Sequence, residues 1–255
     1  MNSFSFKNIK NNISNKIKIF RIKRFLDNHN IKNYSINDNF VVDVDGDVYI
    51  DHTNLTKLPV QFGTVMGSFN ISHNHLDTLS GCPHTVMRDF NCYHNKLTSL
   101  ICSPTNVGGG YDCSQNELKS LEFIPENLNA HTLCSHNKLT TLKFAPKSVK
   151  GNFDCSFNGI TNFEFAPEIV NNNFFAHGNP IGDLEKLKTK IGKGGYITGK
   201  QFSSFGYVSD WDATPDSVFI TKEKLTKIQM QYELHNDLNK ELKPSDTSAK
   251  KKNKI

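Results

Sequence analysis

The chain has 255 residues, 36% of them hydrophobic and 11% aromatic, with 9 Pro and 16 Gly. That composition suits a folded protein with a sizeable core and excludes a collagen-like or globally low-complexity chain. The net charge of +5 is unevenly spread: residues 1–35 carry +7, Lys250, Lys251, Lys252 and Lys254 carry +4, and residues 36–249 carry −6.

In chain order, the first element is basic. Residues 1–35 read as a helical N-terminal segment, in which Ile17 to Leu26 (IKIFRIKRFL) predicts a short amphipathic helix. It is read first as a cap docked on the rest of the chain and second as a membrane-surface element. No stretch reaches the ~20 apolar residues that span a bilayer. The basic start lacks the apolar run and small-residue site of a cleaved secretion signal.

Residues 36–184 carry a repeat. Asn74, Asn95, Asn116, Asn137, Asn158 and Asn179 stand 21 residues apart without a slip. A fixed period of this length marks a solenoid, whose coils bury a core only by stacking. Aligned on the asparagine, Phe69, Phe90, Tyr111, Phe153 and Phe174 share a column that Thr132 interrupts. Two residues later come Ile71, Cys92, Cys113, Cys134, Cys155 and Ala176. Beyond each asparagine lie Leu or Ile at +2, Leu or Phe at +5, then a Pro and a Val or Leu.

Aromatic and cysteine columns two residues apart predict a short strand with both side chains inward. The asparagine is expected to cap the following bend, its amide pairing with backbone groups the bend strands. The proline segment should return extended along the convex side, because Pro lacks a donor and 21 residues leave little room for a helix. Val48, Ile50, Leu55 and Leu58 keep the register, with Thr53 in place of asparagine. They predict a first coil at 41–62 opened by a hairpin turn at Asp45-Gly46. About seven coils would then stack at ~4.8 Å, their strands forming a parallel sheet on the concave face.

After Leu184 the period is lost. Residues 185–243 read as a C-terminal cap region with a Gly-rich stretch at 192–206. Its helix is predicted over 221–242, where Leu225, Ile228, Tyr232, Leu238 and Leu242 share a face. Residues 244–255 read as a disordered basic tail.

The pattern V-x-G-x-F-x-C-S-x-N-x-L-x-x-L-x-x-x-P, clearest from Val149 to Asn158, resembles the short leucine-rich repeats of bacteriophage proteins. The segment from Asn33 to Pro59 resembles the start of such proteins, and the likeness spans about residues 33–184. The repeat is also distantly similar to that of YopM-type bacterial effectors. This resemblance implies a leucine-rich-repeat solenoid in the cytoplasm of an infected host cell and carries no common activity.

Several constellations invite chemistry. Four column cysteines lie on a line spanning ~14 Å at strand spacing, whereas zinc needs sulfurs converging at ~2.3 Å; they are assigned to the core. His52, His73, His94 and His136 precede the capping position, with Gln115 breaking the run. Consecutive coils would bring His52, His73 and His94 ~5 Å apart, near enough to share a divalent metal, and the column could give a pH response, against the plainer reading of a repeated polar column. Gly194 to Lys200 has phosphate-loop spacing, but Gln201 replaces the Ser/Thr that binds magnesium. Asp43, Asp45 and Asp47 imitate a calcium loop with a misplaced glycine and no final Glu.

No catalytic triad or carboxylate pair is placed, so the reading is a non-enzymatic protein with no cofactor and no metal. Its expected partner site is the outward side of the concave sheet: Asn70, His73, Asn91, Tyr93, His94, Asp112, Leu133, His136, Asp154, Phe157, Phe175 and His177. Tyr93, Leu133, Phe157 and Phe175 are expected to be exposed apolar contacts for a host or viral protein. The alternatives are nucleic-acid or anionic-surface binding through the Lys/Arg-rich termini, and a structural role in a virion.

Overall fold

The computed structural model describes residues 3–181, 189–191, 197–198 and 218–219, all within one compact unit, Met1–Phe219. The predicted helix at 221–242, the basic tail and most of Gly194 to Lys200 lie outside the described residues.

Helix α1 (Ser3–Asn28) is longer than the predicted ten residues because nothing before Ile17 stops it; residues 3–16 contain neither Pro nor Gly. It ends in a Schellman-type cap. Asn30 takes φ 53°, Asn30 N donates to Asp27 O at 3.0 Å, and Ile31 N donates to Leu26 O at 2.9 Å. Leu26 and Ile31, the hydrophobic pair that accompanies such a cap, are both buried, as is Ile22. One side of the helix therefore packs into the core cluster that also holds Val42 and Val44.

The strands follow in alternation: β1 (Tyr34–Ile36), β2 (Val41–Val44), β3 (Val48–Tyr49), β4 (Gln61–Val65), β5 (Phe69–Asn70) and β6 (Thr85–Val86). Then come β7 (Phe90–Asn91), β8 (Asn106–Val107), β9 (Tyr111–Asp112), β10 (Asn127–Leu128), β11 (Thr132–Leu133) and β12 (Ser148–Val149). The last are β13 (Phe153–Asp154), β14 (Ile169–Val170), β15 (Phe174–Phe175), β16 (Lys190–Ile191), β17 (Ile197–Thr198) and β18 (Val218–Phe219).

The strands from β3 to β17 with odd numbers form one eight-stranded sheet, β17-β15-β13-β11-β9-β7-β5-β3, whose neighbours pair in parallel. From β3 to β15 the register advances by one repeat per strand, as in Phe69↔Phe90 and Asn70↔Asn91. This is a parallel β-solenoid, as the period requires. The proline segments do return extended, and they also pair: β1-β2-β4-β6-β8 and β10-β12-β14-β16-β18 make two further sheets. The return face is thus split between β8 and β10 while the long sheet runs unbroken past it.

The predicted hairpin at Asp45-Gly46 is displaced. β2 pairs in parallel with β4 and β3 with β5, so Asp45–Asp47 is a corner between two sheets, with Gly46 at φ 147°. The hairpin lies one strand earlier, β1 against β2, where Asn37 Oδ1 accepts from Asn39 N at 2.9 Å and Val41 N at 3.1 Å. The calcium-like aspartates serve the stack. Asp43 Oδ1 accepts from Thr64 N at 2.6 Å and Asp47 Oδ1 from Ser68 N at 2.7 Å, each in the next coil.

The core is the set of inward columns. Phe69, Phe90, Tyr111, Phe153 and Phe174 are buried, as are Ile71, Cys92, Cys113, Cys134, Cys155 and Ala176 and every Leu, Ile or Phe of the next two columns from Leu76 to Phe163. Burial pushes the four column thiols well up, so they stay protonated and inert. Tyr111 satisfies its phenol on Ser103 Oγ at 2.7 Å. Thr132 does not satisfy its hydroxyl: Oγ1 is buried with no partner.

The asparagine ladder is the link between coils. In Asn116, Nδ2 donates to Cys113 O at 3.1 Å and Ser114 O at 3.2 Å in its own bend, and to Cys92 O at 3.0 Å in the coil before. Its Oδ1 accepts from Leu97 N at 3.0 Å, also in the coil before. The cross-coil pair recurs at Asn74, Asn95, Asn137, Asn158 and Asn179. Thr53 replaces asparagine in the first coil, where no earlier coil offers a carbonyl or an amide to hold. Its hydroxyl reaches Asn74 Oδ1 at 2.8 Å, and one donor suffices there.

Candidate functional site

The coil geometry sorts the outward residues of the long sheet into three columns. The first holds Asn70, Asn91, Asp112, Leu133, Asp154 and Phe175, the second residues of β5, β7, β9, β11, β13 and β15. Its polar members are half-buried and committed to the backbone. Asn70 Oδ1 accepts from Ser72 N at 3.0 Å, Asn91 Oδ1 from Tyr93 N at 2.9 Å, Asp112 Oδ1 from Ser114 N at 2.9 Å and Asp154 Oδ1 from Ser156 N at 2.9 Å. Each is an Asx-type bond that opens the bend. Burial raises the Asp112 carboxyl pKa, the Ser114 donor opposes the rise, and Asp154 two strands away adds to it. These four residues have a structural role that the sequence reading did not give them.

The second column holds Tyr93 and His177 among serines. Tyr93 is half-buried, and His177 Nδ1 lies 3.0 Å from Ser156 Oγ. The third holds His52, His73, His94, Gln115, His136, Phe157 and Gly178, and all seven have positive φ, between 51° and 69°. This position turns the chain out of the strand. It is therefore a corner beside the sheet, where the expectation was a place on its open face. The left-handed conformation aligns the side chains of successive coils into a stack. His52 and His73 rings stack at 4.2 Å, His73 and His94 lie 5.0 Å apart, His94 Nδ1 meets Gln115 Oε1 at 2.7 Å, and His136 stacks on Phe157 at 4.3 Å. The Phe157 ring also meets His177 edge-on at 4.8 Å, and it fills the space a side chain at Gly178 would need.

The histidine spacing matches the expectation, but face-to-face rings cannot aim their nitrogens at one point. Among the described residues no group of three or more metal-ligating side chains converges. The stack has a titration consequence instead. His73 has its pKa lowered, first by loss of solvent and then by His52 and His94, with Asp51 opposing. A neutral His73 is thus favoured in the folded chain, so the unfolded chain binds more protons below its usual pKa of ~6.5. The stability this contributes is present above that pH and is lost as the pH falls through the folded value. The melting midpoint is expected to drop between pH 7.5 and pH 5, and to drop less in His73→Gln. Gln115 already occupies the equivalent corner at φ 52°, so glutamine fits there. Equal losses in the two proteins would rule out the stacked ring as the cause.

Of the four expected apolar contacts only Phe157 is exposed, at 44%; Tyr93, Leu133 and Phe175 are half-buried between neighbouring columns. Tyr49, at 55% exposed, extends the first column by one coil and was missed because it precedes the asparagine series.

A second row was missed entirely. Phe123, Phe144 and Phe165 are 52%, 47% and 48% exposed on consecutive coils. They follow the second leucine column in the bend closed by Ile124 N to Leu121 O at 3.0 Å and its equivalents. Phe123 and Phe144 take φ 74° and 71°, where the equivalent Gly81 takes 95°. The signal was a phenylalanine period of 21 on a turn, which the inward columns obscured.

No protein-family model matches this chain, and no curated protein aligns with it. What the fold and site define is a repeat β-solenoid that presents stacked rings along one corner.

Proposed function

We propose that this protein is a non-enzymatic interaction module that binds a protein through the ring-bearing edge of its long sheet. The observation that carries this reading is the pair of ring stacks at one corner, His52–His73–His94 and His136–Phe157, with Tyr93, Leu133 and Phe175 half-open beside them. Aromatic side chains already ordered by stacking lose little further freedom on binding, and they are enriched at interface centres. The resemblance to short phage leucine-rich repeats supports a concave sheet as the binding face and a host or viral protein as the partner. On that analogy the protein acts in the cytoplasm of the infected cell, in host takeover or in countering defence.

The test is affinity capture from infected cells with wild type and with Tyr93→Ser/Phe157→Ser. Loss of a wild-type partner in the double variant, with the melting midpoint retained, supports the reading; an unchanged partner set refutes it. Exposed Phe123, Phe144 and Phe165 favour a second protein-binding edge. Loss of capture in Phe123→Gly/Phe144→Gly alone would move the interface there.

A further inference from the structure

Helix α1 has two apolar sides, and the solenoid uses one. Ile22 and Leu26 face the core, with Phe25 partly buried against it. At 100° per residue, Ile13, Ile17 and Phe20 fall within a narrow arc on the other side. They are 55%, 46% and 65% exposed, and Phe20 is more exposed than any other large apolar residue described. Phe6 and Ile9 continue the same spacing in the sequence. Lys16 and Lys23 border this arc on one side and Arg21 on the other, with Arg24 at its C-terminal end; all four are exposed. In the whole helix Asp27 is the only acid.

We propose that α1 is a membrane-surface anchor: its second stripe inserts into the headgroup boundary of an anionic bilayer while the first holds it to the solenoid. The helix is not apolar enough to cross a bilayer, and an amphipathic helix lying in the interface does not need to be. Its stripe would sit at the acyl boundary, with the flanking lysines and arginines reaching up to lipid phosphates. Each cation at an anionic leaflet adds its own attraction to the lipid surface, so four beside a three-residue stripe favour acidic lipid over neutral lipid. Nucleic acid would satisfy the charges but gives Ile17 and Phe20 nothing apolar to enter. An acidic protein groove remains a rival occupant that the experiment must separate. The anchor would leave the long sheet free for a partner, so the inference stands or falls apart from the proposed function.

The test uses the full chain and vesicles of phosphatidylcholine alone or with about a third phosphatidylglycerol. Wild type is expected to co-sediment with the anionic vesicles at least about tenfold more strongly, and to weaken as salt rises from about 0.1 to 0.5 M. Ile17→Gln/Phe20→Gln is expected to lose about tenfold of that binding with no change in melting midpoint, since neither side chain is buried. Equal binding to both vesicles, or none, overturns the proposal without any variant. So does full binding by the glutamine variant, which would assign the helix to a polyanion through charge alone. Duplex DNA or an acidic protein that binds wild type and double variant alike, in place of vesicles, would be that result.

Discussion

Replacing Asn116 by alanine is expected to destabilise the solenoid by about 1–3 kcal/mol, from one buried backbone amide left unpaired. That amide is Leu97 N, which lies in the coil before the asparagine and donates to its Oδ1 at 3.0 Å; Cys92 O, the carbonyl Asn116 also holds across coils, keeps Asn95 Nδ2 at 3.1 Å as a second donor. Solvent cannot replace the lost bonds, because Asn116 is 8% exposed and Cys92 and Leu97 are fully buried. In a stack held by nearest-neighbour contacts, weakening one interface near the middle divides the array. Asn116→Asp should also destabilise, since a carboxylate keeps the acceptor for Leu97 N but faces three carbonyls it cannot donate to. Denaturant midpoints of the two variants check this, and wild-type midpoints in both would remove the ladder from the account of stability.

Thr132→Val is expected to act in the opposite direction, stabilising by about 1–3 kcal/mol, the desolvation cost of one unpaired buried hydroxyl. Thr132 is fully buried in the aromatic column, and its Oγ1 has no partner. Valine keeps the shape and the β-branched preference for a strand while removing the polar atom. A rise of a few degrees in melting midpoint is expected, at ~2–4 °C per kcal/mol for a chain of this size. A fall would show that the hydroxyl holds a buried water that the valine expels.

Thr132 also shows where the sequence was informative. The column it interrupts, its neighbours at 21-residue steps and the inward pointing of the cysteines were all legible, because a solenoid maps period directly onto position. The asparagine cap was legible for the same reason. The N-terminal helix was recognised but cut short, because Ile22 and Leu26 on one side and Ile13, Ile17 and Phe20 on the other spoil the single-stripe pattern used to find helix limits. The exposed Phe123, Phe144 and Phe165 were not legible, because the period marks a repeated apolar residue without saying whether its bend turns it in or out.

By itself, then, the sequence determined the coil length, the stacking direction, the inward columns and the residue that caps each bend, since these follow from spacing and residue chemistry. The tertiary structure alone decided what the outward columns are for. Asn70, Asn91, Asp112 and Asp154 proved tied to backbone amides, and His52, His73 and His94 proved stacked at a left-handed corner. It also decided that α1 leaves one apolar side unpacked. The reason is physical: period fixes which residues lie above one another, but the dihedral angles of each bend and the partner atoms across coils fix where their side chains point.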